Sequence, residues 1–209
     1  YKRSDVRTVH KISTGCPGTE VSGQTAAALA AISLVFKDAD LGNDAAYAAT
    51  LSTAAIQLYA FTNEAHGSYT TCVPDAASFY NSWSGFKDEL AWSSIWLYKL
   101  TGESAYKDNA ATYWEEAGKN TEGTIDWDNP TPGTTVLLHD ATGDAKYATE
   151  IDNNLNYWIN SVTRLDDCMA YLREWGSLRY ASNAAFIGLA VAKRGTSALS
   201  SAAAAFGQH

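Results

Sequence analysis

Apolar residues along this chain fall into two kinds of run that alternate. One kind is apolar on every face. Ala26 to Ile32 reads this way inside a stretch from about Thr19 to Lys37, as do Leu90, Trp92, Ile95, Trp96 and Leu97 on the way to Leu100. That is the pattern of a helix buried all round. The other kind carries a single stripe. Tyr47, Leu51, Ala55 and Leu58 recur at intervals of four, four and three, the step of one helix face. Tyr106, Ala110, Trp114 and Ala117 repeat it, and so do Tyr147, Ile151, Leu155 and Trp158. Each stripe begins four or five residues after Gly42, Gly102 or Gly143, and a glycine so placed ends the preceding helix in a left-handed cap. The alternation predicts stacked helical hairpins, with buried helices in an inner ring and striped ones outside. Pro132 to Asp140 and Trp175 to Ala192 supply further inner helices, and Ser197 to Phe206 begins another outer one. The expectation is an all-α fold of about eight helices in four hairpins. Only Tyr69 to Val73 reads as a short extended run.

Composition narrows the partners. The 209 residues carry a net charge of −8, which disfavours nucleic acid and anionic membranes and suits a neutral ligand such as a polysaccharide. No apolar stretch of membrane-spanning length lacks polar interruption, and Tyr1 does not open a signal peptide. Seven Trp and twelve Tyr are an aromatic surplus. Trp92, Trp96, Trp114 and Trp158 sit at core spacings, whereas Trp in polar runs reads as a stacking platform. Of three cysteines, Cys16 precedes one helix and Cys72 follows the next. An antiparallel hairpin would bring them to the same end, where a disulfide would contribute about 4 kcal/mol in the chain-entropy model and imply an oxidising compartment. Two buried thiols are the alternative, with Cys168 free in either case. The four histidines are scattered without metal spacing, and no GxSxG elbow supports acyl transfer.

The chemistry concentrates in Ser78-Phe-Tyr-Asn-Ser-Trp-Ser-Gly-Phe-Lys-Asp-Glu-Leu90. Tyr80 and Trp83 lie in a polar run of turn-forming residues, and Asp88 and Glu89 follow in the first turn of a helix. Two carboxylates near the loop backbone of Ser84 and Gly85 are oxygen ligands of the kind calcium takes. Acidic residues in a first turn also simply complement the helix dipole. Arg179, inside an apolar helix, predicts a buried charge needing a salt bridge or a ligand.

The run Phe79 to Leu90 closely resembles a signature of glycoside hydrolase family 9, the inverting cellulases. Three more blocks agree in order: Cys16-Pro-Gly-Thr-Glu-Val21 leading into Thr25 to Ala31, Trp127-Asp128-Asn129, and Trp175-Gly-Ser-Leu-Arg-Tyr-Ala-Ser-Asn183. The resemblance covers nearly the whole chain, but only the middle of the family's catalytic domain. It implies a partial (α/α)6 toroid over residues 1–209, about eight of twelve helices, with inner helices bare along two edges. It also implies calcium held by Ser84, Gly85, Asp88, Glu89 and Asp128, and a β-1,4-glucan cleft lined by Tyr80, Trp83, Trp175, Arg179 and Tyr180. The family's catalytic base lies in an upstream Asp-Ala-Gly-Asp motif and its acid is a Glu near the domain's end. Neither motif occurs here, so no catalytic residue is assigned. The chain departs from the family at Gln24, usually Glu, and at Asp166-Asp167-Cys168, where many members carry Pro-Gly-Gly. The expectation is the central part of a secreted endo-β-1,4-glucanase, monomeric when full length, whose sequence here stops inside a helix. The alternative is a non-catalytic sugar-binding or structural homologue that kept the calcium site and the aromatic platform.

Overall fold

The computed structural model describes residues 8–166 and 168–208; Asp167, in the departure from Pro-Gly-Gly, lies outside them. Nine α-helices are present among the described residues: α1 Thr19–Lys37, α2 Ala45–Glu64, α3 Ala77–Tyr80, α4 Lys87–Thr101, α5 Ser104–Ala117, α6 Thr131–Thr142, α7 Ala145–Asn156, α8 Ser177–Arg194 and α9 Ser200–Gln208. The short α3 stands apart. The other eight form four hairpins, α1 with α2, α4 with α5, α6 with α7 and α8 with α9. Helices α1, α4, α6 and α8 also pack in that order against one another, so they form the inner arc of a toroid and the other four its outer arc.

The stripes bury the outer helices, except at Tyr47, which opens the first stripe and is exposed. Trp114 of α5 joins Ala91, Ile95, Leu138 and Tyr147 in one core cluster. Its indole donates to Thr135 Oγ1 at 2.8 Å, so the buried N–H is satisfied. Ile151 and Leu155 of α7 pack with Val136, Ile187 and Val191. Ala55 and Tyr59 of α2 meet Ala26, Ala30 and Leu97. Here Tyr59 Oη and Ser94 Oγ share a hydrogen bond of 2.8 Å, which holds a polar pair inside the packing.

Gly102 and Gly143 end α4 and α6 with φ of 78° and 67°, the left-handed caps expected of them. Gly42 does not play this part. Helix α1 stops at an extended Asp38, and the left-handed residue of that turn is Asn43, φ 46°. Gly42 is needed for space instead, because a Cβ there would lie 2.6 Å from Phe36 Cα.

Burial all round holds for the middle of the inner arc and fails at its ends. Helix α1 exposes Val21, Ile32 and Val35, and α8 exposes Leu178, Phe186 and Leu189. Among the described residues one helix, α1, is long and apolar enough to cross a membrane by length and composition. It packs against α2 and α4 with Glu20 and Ser22 buried. Three local readings change. Tyr69–Thr71 is a 3-10 turn rather than extended chain. Tyr80 ends the one-turn helix α3 rather than lying in irregular backbone. A small antiparallel ribbon pairs β1 Thr163–Arg164 with β2 Ala170–Tyr171, in the register Thr163 to Tyr171 and Arg164 to Ala170. Two-residue strands are too short for alternation to betray them.

Cys16 and Cys72 are joined by a disulfide, with Cα atoms 5.7 Å apart, and Cys168 is free and exposed. The bridge fixes the segment before α1 to the turn after α2. Beside it Thr19 Oγ1 accepts from the Gly67 amide at 2.9 Å.

Candidate functional site

The site is built where three segments meet at one end of the inner arc: the N-terminal part of α1, residues 80–89, and the loop 118–130 between α5 and α6. That loop is pinned from behind. Asn154 of α7 donates to the carbonyls of Thr121 and Gly123, both at 2.8 Å, and the Trp158 indole donates to Gly123 as well. Asn183 of α8 donates to the Ile125 carbonyl at 2.6 Å. At the tip, Asp126 Oδ1 accepts the amides of Asp128 and Asn129, a side-chain-closed turn that presents Trp127 and Asp128.

Asp128 reaches across to the other loop. Its carboxylate accepts the Trp83 amide at 2.9 and 3.2 Å and the Ser84 amide at 3.3 Å, and its carbonyl accepts Ser84 Oγ at 2.7 Å. Asp128 is therefore a fastener for the Trp83–Ser84 backbone. Gly85 turns the chain with φ 92°, and its carbonyl accepts Ser82 Oγ.

Asp88 and Glu89 do not behave as exposed dipole-complementing residues. Each is 1% exposed. Glycine at position 23 makes this approach possible, since a Cβ there would sit 3.0 Å from Glu89 Cβ and 3.1 Å from its carbonyl oxygen. Both oxygens of Asp88 and Oε2 of Glu89 have no hydrogen-bond partner. Burial pushes the Asp88 carboxyl above its usual range, and burial together with the neighbouring Asp88 charge pushes Glu89 up to about 10. Three such oxygens in a desolvated site carry a large penalty as carboxylates unless a proton or a cation meets them. No group of three or more His, Cys, Asp or Glu side chains converges for a metal among the described residues. Two carboxylates with neutral loop oxygens remain, a donor set for a hard cation rather than for zinc. Of the five expected ligands, Ser84 and Asp128 are hydrogen-bonded to each other, and Asp88 and Glu89 follow Gly85 in the first turn of α4. Only Asp88 and Glu89 offer free side-chain oxygens.

Beside this pair lies an open cleft. Tyr80, Trp83 and Trp175 are 62%, 77% and 87% exposed, and with Arg179 and Tyr180 they line one concavity. Tyr80 stands edge-on to Trp127, 5.5 Å between centroids, and its carbonyl accepts the Tyr69 hydroxyl. Arg179 is not a buried charge. It is exposed, makes no ion pair among the described residues, and lies over the Tyr180 ring with 4.6 Å to the centroid. The apolar character of α8 misleads because its outward positions belong to the bare edge of the arc. Tyr180 itself is buried against Trp158 and Ala184 and offers the cleft only part of its ring. Trp127 and Arg173 also line the cleft, Arg173 at 5.6 Å from the Tyr180 centroid. Trp127 had a signal in its Trp-Asp-Asn motif; Arg173 had none.

The chain spans less than a third of the length of the curated relatives it matches most strongly. Endoglucanase A of Bacillus pumilus is 44% identical over 192 residues, which is 87% of this chain and 28% of that protein. Endoglucanase B of Cellulomonas fimi is 42% identical over 195 residues, 88% of this chain and 18% of the relative. Among solved structures, an endoglucanase of the termite Nasutitermes takasagoensis superposes with a TM-score of 0.86 at 37% identity, covering 94% of this chain and 44% of that one. Endoglucanase CelQ of Clostridium thermocellum, complexed with cellotetraose, gives a TM-score of 0.81 at 30% identity, covering 91% and 32%. The family model for glycosyl hydrolase family 9 matches residues 1–208. With its helical hairpins arranged in concentric arcs and these matches along its whole length, the chain belongs to glycosyl hydrolase family 9.

Proposed function

We propose that this chain is the central segment of the catalytic domain of a secreted, monomeric endo-β-1,4-glucanase that hydrolyses its substrate with inversion. The observation that carries the reading is the cleft itself. Tyr80, Trp83 and Trp175 form an exposed aromatic wall beside the Arg179 guanidinium. Apolar rings left this bare mark a binding surface, and they match the apolar faces of sugar rings while the guanidinium donates to hydroxyls. A related structure holding cellotetraose supports the same ligand class. The bare edges of α1 and α8 support a longer domain, because six large apolar side chains there await covering helices. The Cys16–Cys72 disulfide supports secretion. Nothing in the geometry favours a non-catalytic homologue.

Calcium is the cation proposed for the carboxylate pair. Asp88 and Glu89 would hold it, with oxygens of Ser84, Gly85 and Asp128 completing the shell. Bound there, the ion supplies charge neutralisation and rigidity. This chain's residues do the rest: Asp128 sets the Trp83 backbone, Tyr80 and Trp175 bind sugar faces, and Arg179 orients hydroxyls. Proton transfer belongs to carboxylates on other segments, roughly 6.5–9.5 Å apart in an inverting enzyme.

The full-length protein is expected to release product of inverted anomeric configuration from soluble β-1,4-glucan, followed by NMR. The 209-residue chain alone is expected to leave carboxymethyl cellulose intact, since each missing acid or base contributes about 10²–10⁴. Retained configuration, or turnover by the short chain, overturns the reading.

A further inference from the structure

Gln24 touches both halves of the site. From α1 its Nε2 donates to Glu89 Oε1 at 3.1 Å and to the backbone carbonyl of Trp127 at 2.9 Å. One amide thus joins α1, the first turn of α4 and the loop tip that supports the aromatic wall. A carboxylate at this position would face Glu89 as a further like charge and, when ionised, would have no hydrogen to give either acceptor. The amide gives two and adds no charge.

We infer that Gln24 is a positioning residue that couples cation binding at Asp88 and Glu89 to glucan binding at the Tyr80–Trp127 wall. By occupying Glu89 Oε1 it leaves Oε2, which has no partner, as the oxygen that would be free for a cation. The same nitrogen holds the Trp127 carbonyl, and the Trp127 indole meets the Tyr80 ring edge-on. A shift of the Glu89 carboxylate therefore reaches the sugar-binding wall through a single side chain. Coupling of this kind is reciprocal: the factor by which calcium raises glucan affinity equals the factor by which glucan raises calcium affinity. The inference rests on the glucanase reading and on the cation reading above, and its test separates all three.

Calcium chloride and a thio-linked cellotetraose, which resists hydrolysis, are titrated separately and together into the full-length protein by calorimetry. In the wild type each is expected to raise affinity for the other by about 5-fold or more, at the lower end of measured couplings. Gln24→Met keeps the length and removes the donor. It is expected to weaken calcium binding several-fold and to bring the coupling factor to one. Unchanged calcium affinity or undiminished coupling in Gln24→Met overturns the inference while leaving both parent readings standing. Should that variant fail to fold, Gln24→Glu, of the same shape but without the N–H donors when ionised, takes its place, and undiminished coupling there overturns the inference. Independent binding of the two ligands by the wild type overturns it outright. A wild type that ignores calcium overturns the cation reading and this inference with it. One that binds calcium but no oligosaccharide overturns the glucanase reading and the coupling together.

Discussion

Asp128 accepts the Trp83 amide through both carboxylate oxygens, at 2.9 and 3.2 Å, although the two residues are 45 positions apart. The bond fixes an exposed indole by its backbone, leaving the ring free for a ligand. Asp128→Ala is expected to lower stability by about 2 kcal/mol, the scale of a hydrogen bond to a charged acceptor, and to weaken oligosaccharide binding. Asp128→Asn, with one oxygen left, should fall between. Thermal melts and cellotetraose titration check both; an Asp128→Ala protein with wild-type affinity would show that Trp83 holds its place unaided.

On the proposed calcium reading, removing divalent cations uncovers Asp88 and Glu89. Three unpartnered oxygens lie between them, and an ion there would offset their desolvation. EDTA is expected to lower the melting temperature and calcium to restore it, magnesium less well because it demands a smaller, more regular shell. Equal melting curves in EDTA and in calcium would sink the cation.

Trp83 and Trp175 bury little in the fold, so their loss should separate binding from stability. Each changed to Ala is expected to raise KM several-fold, up to about tenfold, since stacking on an aromatic ring is worth about 0.5–1.5 kcal/mol, and to leave the melting temperature nearly unmoved. A large drop in stability without a change in KM would reassign them to packing.

Denaturing, non-reducing thiol titration should find one reactive group, Cys168. Reduction of the Cys16–Cys72 bridge, which spans 56 positions, is expected to cost about 4 kcal/mol in the chain-entropy model. Three titratable thiols would remove the bridge and the main support for secretion.

Glu20 supplies a pH test on a third buried carboxyl, one that feels the charge of Asp88. Its Oε1 accepts Ser68 Oγ and the Tyr69 amide, while its Oε2 is buried without a partner. Burial, outweighing those donors and helped by the Asp88 charge, raises its pKa above the usual carboxylate range. A carboxyl with a raised folded pKa contributes stability that is complete below the unfolded pKa and is lost as pH rises through the folded one. Glu20→Gln, which does not titrate, is expected to gain stability relative to the wild type as pH rises from 4 towards neutral, read from melts at about half-unit steps. A difference that stays flat with pH would mean that Glu20 titrates alike in the folded and unfolded chain, and would overturn the raised pKa.

Much of this architecture was legible because it is periodic. Tyr147, Ile151, Leu155 and Trp158 announce a buried face at helical spacing, and all four are buried. The cleft aromatics were legible for a different reason: Tyr80 and Trp83 stand among turn residues where no core needs them. What could not be read depends on contacts far apart in the chain. Gln24 meets partners 65 and 103 positions away, and nothing local distinguishes it from a surface amide. Arg179 was misplaced because a one-dimensional pattern cannot say that the apolar face around it lies at the open end of an arc. The β1–β2 ribbon escaped because two residues carry no period.

The order of packing has a consequence for biosynthesis. Each inner helix meets its own outer partner and then the next inner helix along the chain, so most contacts join segments made in immediate succession. Hairpins can dock one after another as they leave the ribosome, each finding its platform already present. The disulfide follows the same sequence, since Cys72 emerges directly after the hairpin that carries it back to Cys16. Loop 118–130 breaks it. Its anchors Asn154 and Asn183 are synthesised later than the turn they hold, so the aromatic wall takes its final form only after α8 is in place. The loop that presents Trp127 and Asp128 is thus fastened by residues later in the chain than itself.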